Sequence, residues 1–530
     1  MVHINDLSLE QKIGQLLVIG FTGTELTEEH KEHIKKYHLG NIIYFARNLE
    51  TKEQMIKLSS SIQEVVLGAN GIPAFITVDQ EGGMVTRIFD GGTFFPGNMA
   101  FGAVGDPHNT YLEGQYMAKE LLNFGINFNL APVLDVNNNS KNPVIGVRSY
   151  GDNPNKVADF ACEYIRGLQS ENVIATGKHF PGHGDTSVDS HFALPTIKHT
   201  MDRLEAVELV PFRRAIESGI EAIMTSHILF ENLTDDHLPA TLSPEILTGL
   251  LRGKLGFNGL IMTDSMEMKA ILNGVGLAKG AVKAVLAGAD LLCVSHTMEE
   301  QTEVYEAIYK AVKAGVISEE RINESVERIL AAKEKYKIRD YKKYMNVLST
   351  EEMEKHHAFA KEISRKSVTL IKGEQSHVAT SEEKTLVIST PPVALNAADA
   401  KLQEDRTFAK ILADKIGGDY KIIPLNMEEE DIASIVEEVK KYDKVIIGTY
   451  NATVFTSQGT LVNEIYKKNN NVVAVALRNP YDIEMYKEVP VFLTAYEYSQ
   501  LSIESLVHAM TTPYTCTGES PVTIEYENRH

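Results

Sequence analysis

Eight short apolar runs recur through residues 1–338, and long amphipathic segments separate them. We predict strands at Gln15–Phe21, Asn41–Phe45, Pro73–Asp79, Asn127–Val136, Ile174–His179, Ala222–His227, Gly259–Asp264 and Leu291–Val294. Strands that alternate with helices of this length form parallel sheets. Eight such repeats favour a closed (β/α)8 barrel of the TIM type over an open sheet.

A second, smaller domain is predicted after the barrel. Residues 339–366 are predicted to form a linker and a connecting helix. The helix begins with a capping box at Ser349 and Glu352. Residues 367–530 are predicted to form an α/β/α sandwich. Its strands are expected at Ser367–Ile371, Thr385–Ser389, Lys421–Pro424, Lys444–Gly448, Val472–Leu477 and Val491–Ala495. No glycine-rich phosphate-binding motif is present, so no nucleotide cofactor is indicated, and the tail from Thr511 is expected to be loosely held.

Composition narrows the class of protein. With 52 Lys and Arg against 72 Asp and Glu, the formal net charge is −20, which argues against nucleic-acid binding. Cys162, Cys293 and Cys516 are far apart and odd in number, so neither a disulfide framework nor a structural metal site is indicated. The apolar run Ile13–Phe21 is too short to span a membrane, and no basic leader precedes it. We therefore expect a cytoplasmic protein, or a secreted one if a leader was removed; nothing in the sequence specifies an oligomeric state.

Polar residues stand where five of the predicted strands end. They are Asp79, Asp135, Lys178 with His179, His227 and Asp264. Catalytic groups of such barrels lie at the carboxyl ends of the strands. Any one of these residues could instead cap the next helix or be a buried polar group with a partner. Five positions in agreement favour a functional site.

The segment Lys178–His191, KHFPGHGDTSVDSH, concentrates reactive side chains in one loop. Asp189 stands two residues before His191, and a carboxylate there would hold the imidazole in one tautomer as a general acid/base. The alternative is a chance pair in a surface loop. Lys178 and Arg148 would supply cationic donors to sugar hydroxyls, although either alone is more often a structural charge.

Asp264 follows a buried apolar run in GLIMTDSMEM. A carboxylate that emerges from a packed strand into a barrel mouth is well placed to act as a nucleophile, because packing fixes its rotamer. The alternative is that Asp264 is the N-cap of a helix beginning near Ser265.

The sequence resembles the family 3 glycoside hydrolases, in particular their bacterial β-N-acetylglucosaminidase branch. The matching motifs are ITVDQEGG (Ile76–Gly83), APVLDV (Ala131–Val136), PVIGVRSY (Pro143–Tyr150), KHFPGHGDTSVDSH and IMTDSMEM (Ile261–Met268). They occur in the order that the family has, and VALRNPYDI (Val475–Ile483) resembles part of the family's second domain.

The resemblance implies a role for each matching residue. Asp264 corresponds to the catalytic nucleophile, and His191, with Asp189 as its partner, to the histidine acid/base of this branch. The residues implied to bind the terminal N-acetylglucosamine are Asp79, Arg148, Lys178 and His179. Met84 departs from the pattern, since many relatives have Arg after EGG; this affects a local ion pair or an outer substrate contact rather than the chemistry.

The implied activity is a retaining, exo-acting β-N-acetylglucosaminidase without a metal or cofactor, acting through a glycosyl–Asp264 intermediate. Its partner would be an N-acetylglucosamine-containing saccharide, with peptidoglycan-derived muropeptides or chitin oligosaccharides as the source. A phosphorylase is an alternative, because a neutral imidazole base would tolerate an anionic acceptor. A β-glucosidase of the same family is another.

Two hypotheses from other functional classes are a metal-dependent enzyme and a non-catalytic binding protein. One is a metallohydrolase with His179, His183, His227 and Asp264 as ligands, although the first strand offers no His pair. The other is a catalytically silent sugar-binding protein, which would be expected to lack Asp264 or His191; both are present.

Overall fold

The computed structural model describes residues 2–186, 194–374, 383–395, 398–400 and 405–526. Within these residues the chain forms a closed barrel of eight parallel strands and a separate six-stranded sheet. The predicted fold, a TIM-type barrel followed by a smaller α/β sandwich, is confirmed.

The barrel strands correspond one to one with the eight predicted strands. They are β1 (Leu17–Ile19), β2 (Asn41–Tyr44), β3 (Phe75–Val78), β4 (Phe128–Asn129), β5 (Ile174–Phe180), β6 (Ala222–Thr225), β7 (Leu260–Ser265) and β8 (Leu291–Val294). The barrel closes where Val18 of β1 pairs with Cys293 of β8. Strand β4 is much shorter than predicted, because Pro132 has no N–H to donate; the ladder resumes only as one bridge between Val133 and Lys178.

Helices surround the barrel and follow its strands. The α-helices of this part are Leu9–Leu16, Glu28–Tyr37, Lys52–Asn70, Asn98–Val104, His108–Asn123, Pro154–Ser170, Met201–Ala206, Leu209–Glu217, Lys269–Leu272, Leu277–Ala287, Met298–Lys313 and Glu319–Lys335. A π-helix spans Glu245–Lys254. Two short strands, Thr196–Ile197 and Leu229–Phe230, pair outside the barrel and were not predicted.

The second sheet contains β9 (Thr369–Lys372), β10 (Thr385–Ser389), β11 (Asp419–Ile422), β12 (Lys444–Thr449), β13 (Val472–Ala476) and β14 (Val491–Thr494). Its order is β9-β14-β13-β12-β10-β11, and only β9 is antiparallel to its neighbour. Alternate residues face opposite sides: Val387 and Ile446 pack with Phe408 and Leu506 on one face. A second apolar cluster covers the other face. The helices of this domain are Phe408–Ile416, Glu429–Glu438, Thr456–Tyr466 and Gln500–Thr511.

The helix Thr350–Ser367 connects the two sheets. It begins with the predicted capping box, in which Ser349 and Glu352 satisfy each other's backbone N–H groups. Its buried His356 places Nδ1 2.7 Å from Oε1 of Glu120 in the barrel domain. None of the helices that the structure describes combines the length and apolarity of a membrane span.

The two domains share an apolar cluster that lies beside one rim of the barrel. It contains Met84, Met99, Ala100, Ala103, Val147, Tyr481, Tyr496 and Val522. The tail also packs here, since the backbone N–H of Thr523 donates to Asp152 Oδ2 at 2.6 Å and that of Glu519 to Ala103 O at 2.9 Å. The expectation of a loosely held tail is therefore wrong as far as residue 526, because burial of Val522 (5% exposed) ties it to the barrel.

Candidate active site

The structure brings together the described polar residues that end the barrel strands. Asp79 follows β3, and Asp264 lies in β7. Lys178 and His179 lie near the carboxyl end of β5. Arg148 ends a short 3-10 helix, Gly146–Arg148, in the connection after β4. All of these residues therefore lie at the carboxyl end of the barrel, as predicted.

Four charged side chains form a buried cluster between β3 and β5. Lys178 Nζ lies 2.7 Å from Asp79 Oδ1 and 2.7 Å from Glu81 Oε1. Arg148 also binds Glu81: it donates Nε–H to Oε2 at 2.9 Å and an Nη2–H to Oε1 at 2.7 Å. The two cations and two carboxylates neutralise each other, which is the condition for keeping such charges out of water.

The electrostatics of this cluster depend on Glu81. Burial alone would raise its pKa, but Arg148 and Lys178 together hold it well below its ordinary value. Burial would likewise lower the pKa of Lys178, but Asp79 and Glu81 raise it. Glu81 and Lys178 are therefore held in their charged forms, and Asp79, at 21%, has the most exposed side chain of the cluster.

A second buried carboxylate, Asp135, orients the histidine of β5. It accepts the backbone N–H of His183 at 2.7 Å, and its Oδ2 lies 2.7 Å from His179 Nδ1. Burial would raise the pKa of Asp135, but His179 and His183 lower it. An ionised Asp135 accepts a hydrogen bond from His179 Nδ1–H, which fixes the orientation of that ring.

Asp264 stands at the end of β7, half-buried, with Oδ1 accepting the N–H of Ser265 at 2.7 Å. The next helix begins only at Lys269, with Met268 as its N-cap. The N-cap interpretation of Asp264 is therefore wrong, and the carboxylate belongs to the strand. Asp264 therefore lies on a packed strand at the carboxyl end of the barrel, where packing restricts its position.

Glu267 braces the strand ends beside Asp264. Its Oε2 accepts from Ser265 Oγ at 2.8 Å and from the backbone N–H of Ser295 at 2.7 Å, and its Oε1 accepts from the N–H of His296 at 2.8 Å. It thus joins the end of β7 to the residues that follow β8. This fixes the segment that carries Asp264.

Asp189 and His191, the predicted acid/base pair, lie outside the described residues, which break off between 186 and 194. The described residues on either side approach each other, since His199 Nε2 lies 2.8 Å from Asp185 Oδ2. The role of Asp189 and His191 remains a prediction from the sequence.

The described part of the chain does not support the metallohydrolase hypothesis. His179 uses Nδ1 for Asp135, and His227 uses Nδ1 for Thr241 Oγ1 and Nε2 for the carbonyl of Ser265, at 2.8 and 2.9 Å. Among the described residues, no group of three His, Cys, Asp or Glu side chains is arranged to bind a metal.

Glu81 and Glu267 were absent from the predicted site residues, and Asp135 was named only as a strand-end residue without a role. Glu81 and Glu267 lie inside motifs that were recognised, ITVDQEGG and IMTDSMEM, and Asp135 ends a predicted strand. Each carboxylate orients another polar group rather than facing the barrel mouth. A carboxylate next to a predicted site residue in the same motif was the signal that could have identified them.

The chain is similar to proteins of one known family. The family model described as "Glycosyl hydrolase family 3 N terminal domain" matches residues 8–332. Beta-hexosaminidase A of Pseudoalteromonas piscicida is 33% identical over 368 residues, which cover 62% of this chain and 61% of that protein. The chain thus spans about three fifths of that relative's length. A beta-hexosaminidase of Xylella fastidiosa (strain M23) is 34% identical over 288 residues, 53% of this chain and 83% of that protein.

A solved structure extends the likeness to both domains. The glycoside hydrolase family 3 beta-N-acetylglucosaminidase from Paenibacillus sp. str. FPU-7 is 40% identical, with a TM-score of 0.90, and the match covers 98% of this chain and 99% of that one. The prediction of a glycoside hydrolase agrees with these relatives. The match to the family model covers more than half of the chain, from the helix before β1 to the second helix after β8, Glu319–Lys335. The chain therefore belongs to glycosyl hydrolase family 3.

Proposed function

We propose that this chain is a retaining, exo-acting β-N-acetylglucosaminidase that removes terminal N-acetylglucosamine from the non-reducing end of its substrate. The observation that carries the proposal is the strand-borne Asp264 at the same end of the barrel as the buried Asp79–Lys178–Glu81–Arg148 cluster. The names of the similar proteins, beta-hexosaminidase and beta-N-acetylglucosaminidase, support the acetamido sugar.

The cluster supports sugar binding through fixed, ionised groups. Asp79 is a carboxylate that can accept hydrogen bonds from hydroxyls, and Lys178 beside it can donate to them. His179, whose Nδ1–H is held by Asp135, is a polar ring of fixed orientation beside them. These side chains are oriented by partners before substrate arrives, so binding costs little conformational entropy.

The proposed chemistry is a double displacement. Asp264 attacks the anomeric carbon while His191, paired with Asp189, protonates the departing oxygen. In the second step His191 takes a proton from water, which attacks the glycosyl–Asp264 ester and releases the sugar with its configuration retained. Peptidoglycan-derived muropeptides are the proposed source of the substrate.

Turnover of an aryl β-N-acetylglucosaminide and of the matching aryl β-glucoside tests the substrate class. We expect a strong preference for the acetamido sugar, with His191→Ala and Asp264→Ala each lowering kcat by roughly 10³-fold or more. Equal or better turnover of the glucoside would reject the substrate class. Near-normal activity of Asp264→Ala would reject the nucleophile.

Two further measurements test which acceptor is used and which natural aglycone is released. Added inorganic phosphate should not raise the rate; a phosphate-dependent rate with a sugar 1-phosphate product would replace the hydrolase by a phosphorylase. A muropeptide disaccharide should be cleaved with higher kcat/KM than chitobiose. A higher kcat/KM for chitobiose would instead indicate chitin oligosaccharides as the natural substrate.

A further inference from the structure

The loop that follows β14 in the second domain inserts a carboxylate into the barrel domain. Glu497 is buried, with 2% of its surface exposed. Its Oε2 accepts the backbone N–H of Gly97 at 2.8 Å, and its Oε1 accepts the hydroxyl of Ser499 at 2.7 Å. One side chain of the second domain therefore holds the backbone of the loop between β3 and the helix Asn98–Val104.

From Gly97 the connection leads to the main chain of Arg148. The next residue, Asn98, is buried and donates Nδ2–H to the carbonyl of Arg148 at 2.7 Å. A shift of Gly97 would therefore move Asn98, and with it the backbone from which the Arg148 side chain extends.

From Gly83 a second connection leads to the guanidinium of Arg148. Gly83 has φ +53°, and a Cβ atom there would lie 2.6 Å from Gly97 Cα and 2.7 Å from Glu497 Oε2. The backbone of this turn thus packs directly on the carboxylate, two residues after Glu81, the bidentate partner of Arg148. The groups that fix the two ends of Arg148, its carbonyl and its guanidinium, belong to two segments that meet at Glu497.

We propose that Glu497 is a positioning residue for substrate binding, through which the second domain holds Arg148 and its partner Glu81 in place. Residues from both domains line one small cavity at this point, among them Glu81, Gly97, Arg148, Tyr496 and Glu497. The inference rests on the proposed function together with the role that the family resemblance implies for Arg148, binding of the terminal N-acetylglucosamine. It assigns to the second domain a part in the affinity for sugar, without contact with the sugar itself.

The chain offers a conservative variant that should fold. Burial raises the pKa of Glu497 to about 7, so ionisation of this side chain is costly in the folded protein. Glu497→Gln removes that cost and keeps an oxygen that can accept the Gly97 N–H. Glu497→Ala removes the acceptor. Glu488→Gln, an exposed carboxylate of the same domain, is the matched control.

The experiment measures kcat and KM on the aryl β-N-acetylglucosaminide, together with the inhibition constant of free N-acetylglucosamine. In Glu497→Ala we expect KM and the inhibition constant to rise together, roughly tenfold, with kcat within about threefold of wild type, because ground-state binding is lost. Glu497→Gln should return both constants to within about threefold, and Glu488→Gln should leave them unchanged. A merely structural role would instead lower kcat through loss of folded enzyme and leave both constants intact, which would overturn the proposal.

Asn98→Ala removes the hydrogen bond from the barrel domain to the Arg148 carbonyl. It tests the proposal if Glu497→Ala does not fold. It should reproduce the rise in both constants; unchanged constants would overturn the proposal. Arg148→Lys distinguishes failure of the role of Glu497 from failure of the sugar-binding role of Arg148. If Arg148→Lys leaves KM unchanged, the sugar-binding role of Arg148 is wrong. If Arg148→Lys raises KM while Glu497→Ala and Asn98→Ala do not, only the role of Glu497 is wrong.

Discussion

The guanidinium of Arg148 meets the carboxylate of Glu81 through two hydrogen bonds of 2.7 and 2.9 Å, with side chains only 5% and 3% exposed. This bidentate geometry fixes the plane of the guanidinium as well as its position. The same carboxylate oxygen that receives Arg148 Nη2 also lies 2.7 Å from Lys178 Nζ. A single acidic side chain thus orients both cations of the proposed sugar site.

Glu81→Gln should be strongly destabilising. The variant leaves two buried cations with Asp79 as their remaining carboxylate partner in the cluster, and breaking a buried pair in this way costs about 3–5 kcal/mol. Urea unfolding at pH 7 measures the loss. Glu327→Gln, an exposed glutamate of the same domain, should be within about 0.5 kcal/mol of wild type. A Glu81→Gln protein as stable as this control would show that the cluster does not need its central anion.

Asp135→Asn should impair activity with little loss of fold. An amide at this position can present N–H rather than a carboxylate oxygen to His179 Nδ1, which removes the hydrogen bond that orients the ring. The proposed contact of His179 with the sugar would then be weakened, and we expect kcat/KM to fall roughly 10–100-fold. The far-ultraviolet circular dichroism spectrum controls for folding. Unchanged kcat/KM would remove Asp135 and the orientation of His179 from the binding mechanism.

His183 should make the protein less stable in mild acid. Burial, and then the charge of His179, lower its pKa to about 4, below the ordinary value near 6.5. The unfolded chain therefore takes up a proton first as the pH falls. The contribution of neutral His183 is complete above pH 6.5 and is lost progressively between pH 6.5 and 4, to at most about 3 kcal/mol.

The measurement is the free energy of unfolding of wild type and His183→Gln at pH 7.5, 5.5 and 4.5. The difference between the two proteins should shrink as the pH falls, since only the wild type carries this titration. A difference that stays constant across the series would show that His183 does not contribute to acid sensitivity.

Met84 should contribute to stability rather than to an outer substrate contact. It is 2% exposed and packs with Val147, Tyr481 and Tyr496 between the domains. Met84→Ala should cost about 2–4 kcal/mol through the cavity it leaves, and the volume-conserving Met84→Leu less than about 1.5 kcal/mol. Thermal unfolding distinguishes the two. Equal stability of the two variants would mean that the cluster collapses to fill the space.

The barrel could be predicted from the sequence because each of its strands is an apolar run buried on both faces, and such runs are visible locally. The length of β4 was wrong because hydrophobicity does not show where Pro132 interrupts the ladder. The polar residues at the strand ends followed from the rule that places them there. Asp189 and His191 rest on the sequence motif alone.

The partners of the site residues were not predictable in the same way. Arg148 and Glu81 are 67 positions apart, and Gly97 and Glu497 are 400 apart. No local pattern pairs residues over such distances. The packing of residues 519–523 on the barrel depends equally on the assembled tertiary structure, which is why a Thr-rich tail was expected to be loose.

The contact between Gly97 and Glu497 has a consequence for the timing of assembly. A ribosome that adds roughly 5–20 residues per second reaches Glu497 about 20–80 s after Gly97, and N-terminal domains generally fold first during synthesis. The barrel can close between β1 and β8 once Val294 has left the ribosome, while the second domain is still being translated. A nascent chain would therefore have its barrel before the Arg148 side of the proposed sugar site is finished, and the full affinity proposed for it would appear only when the second domain docks.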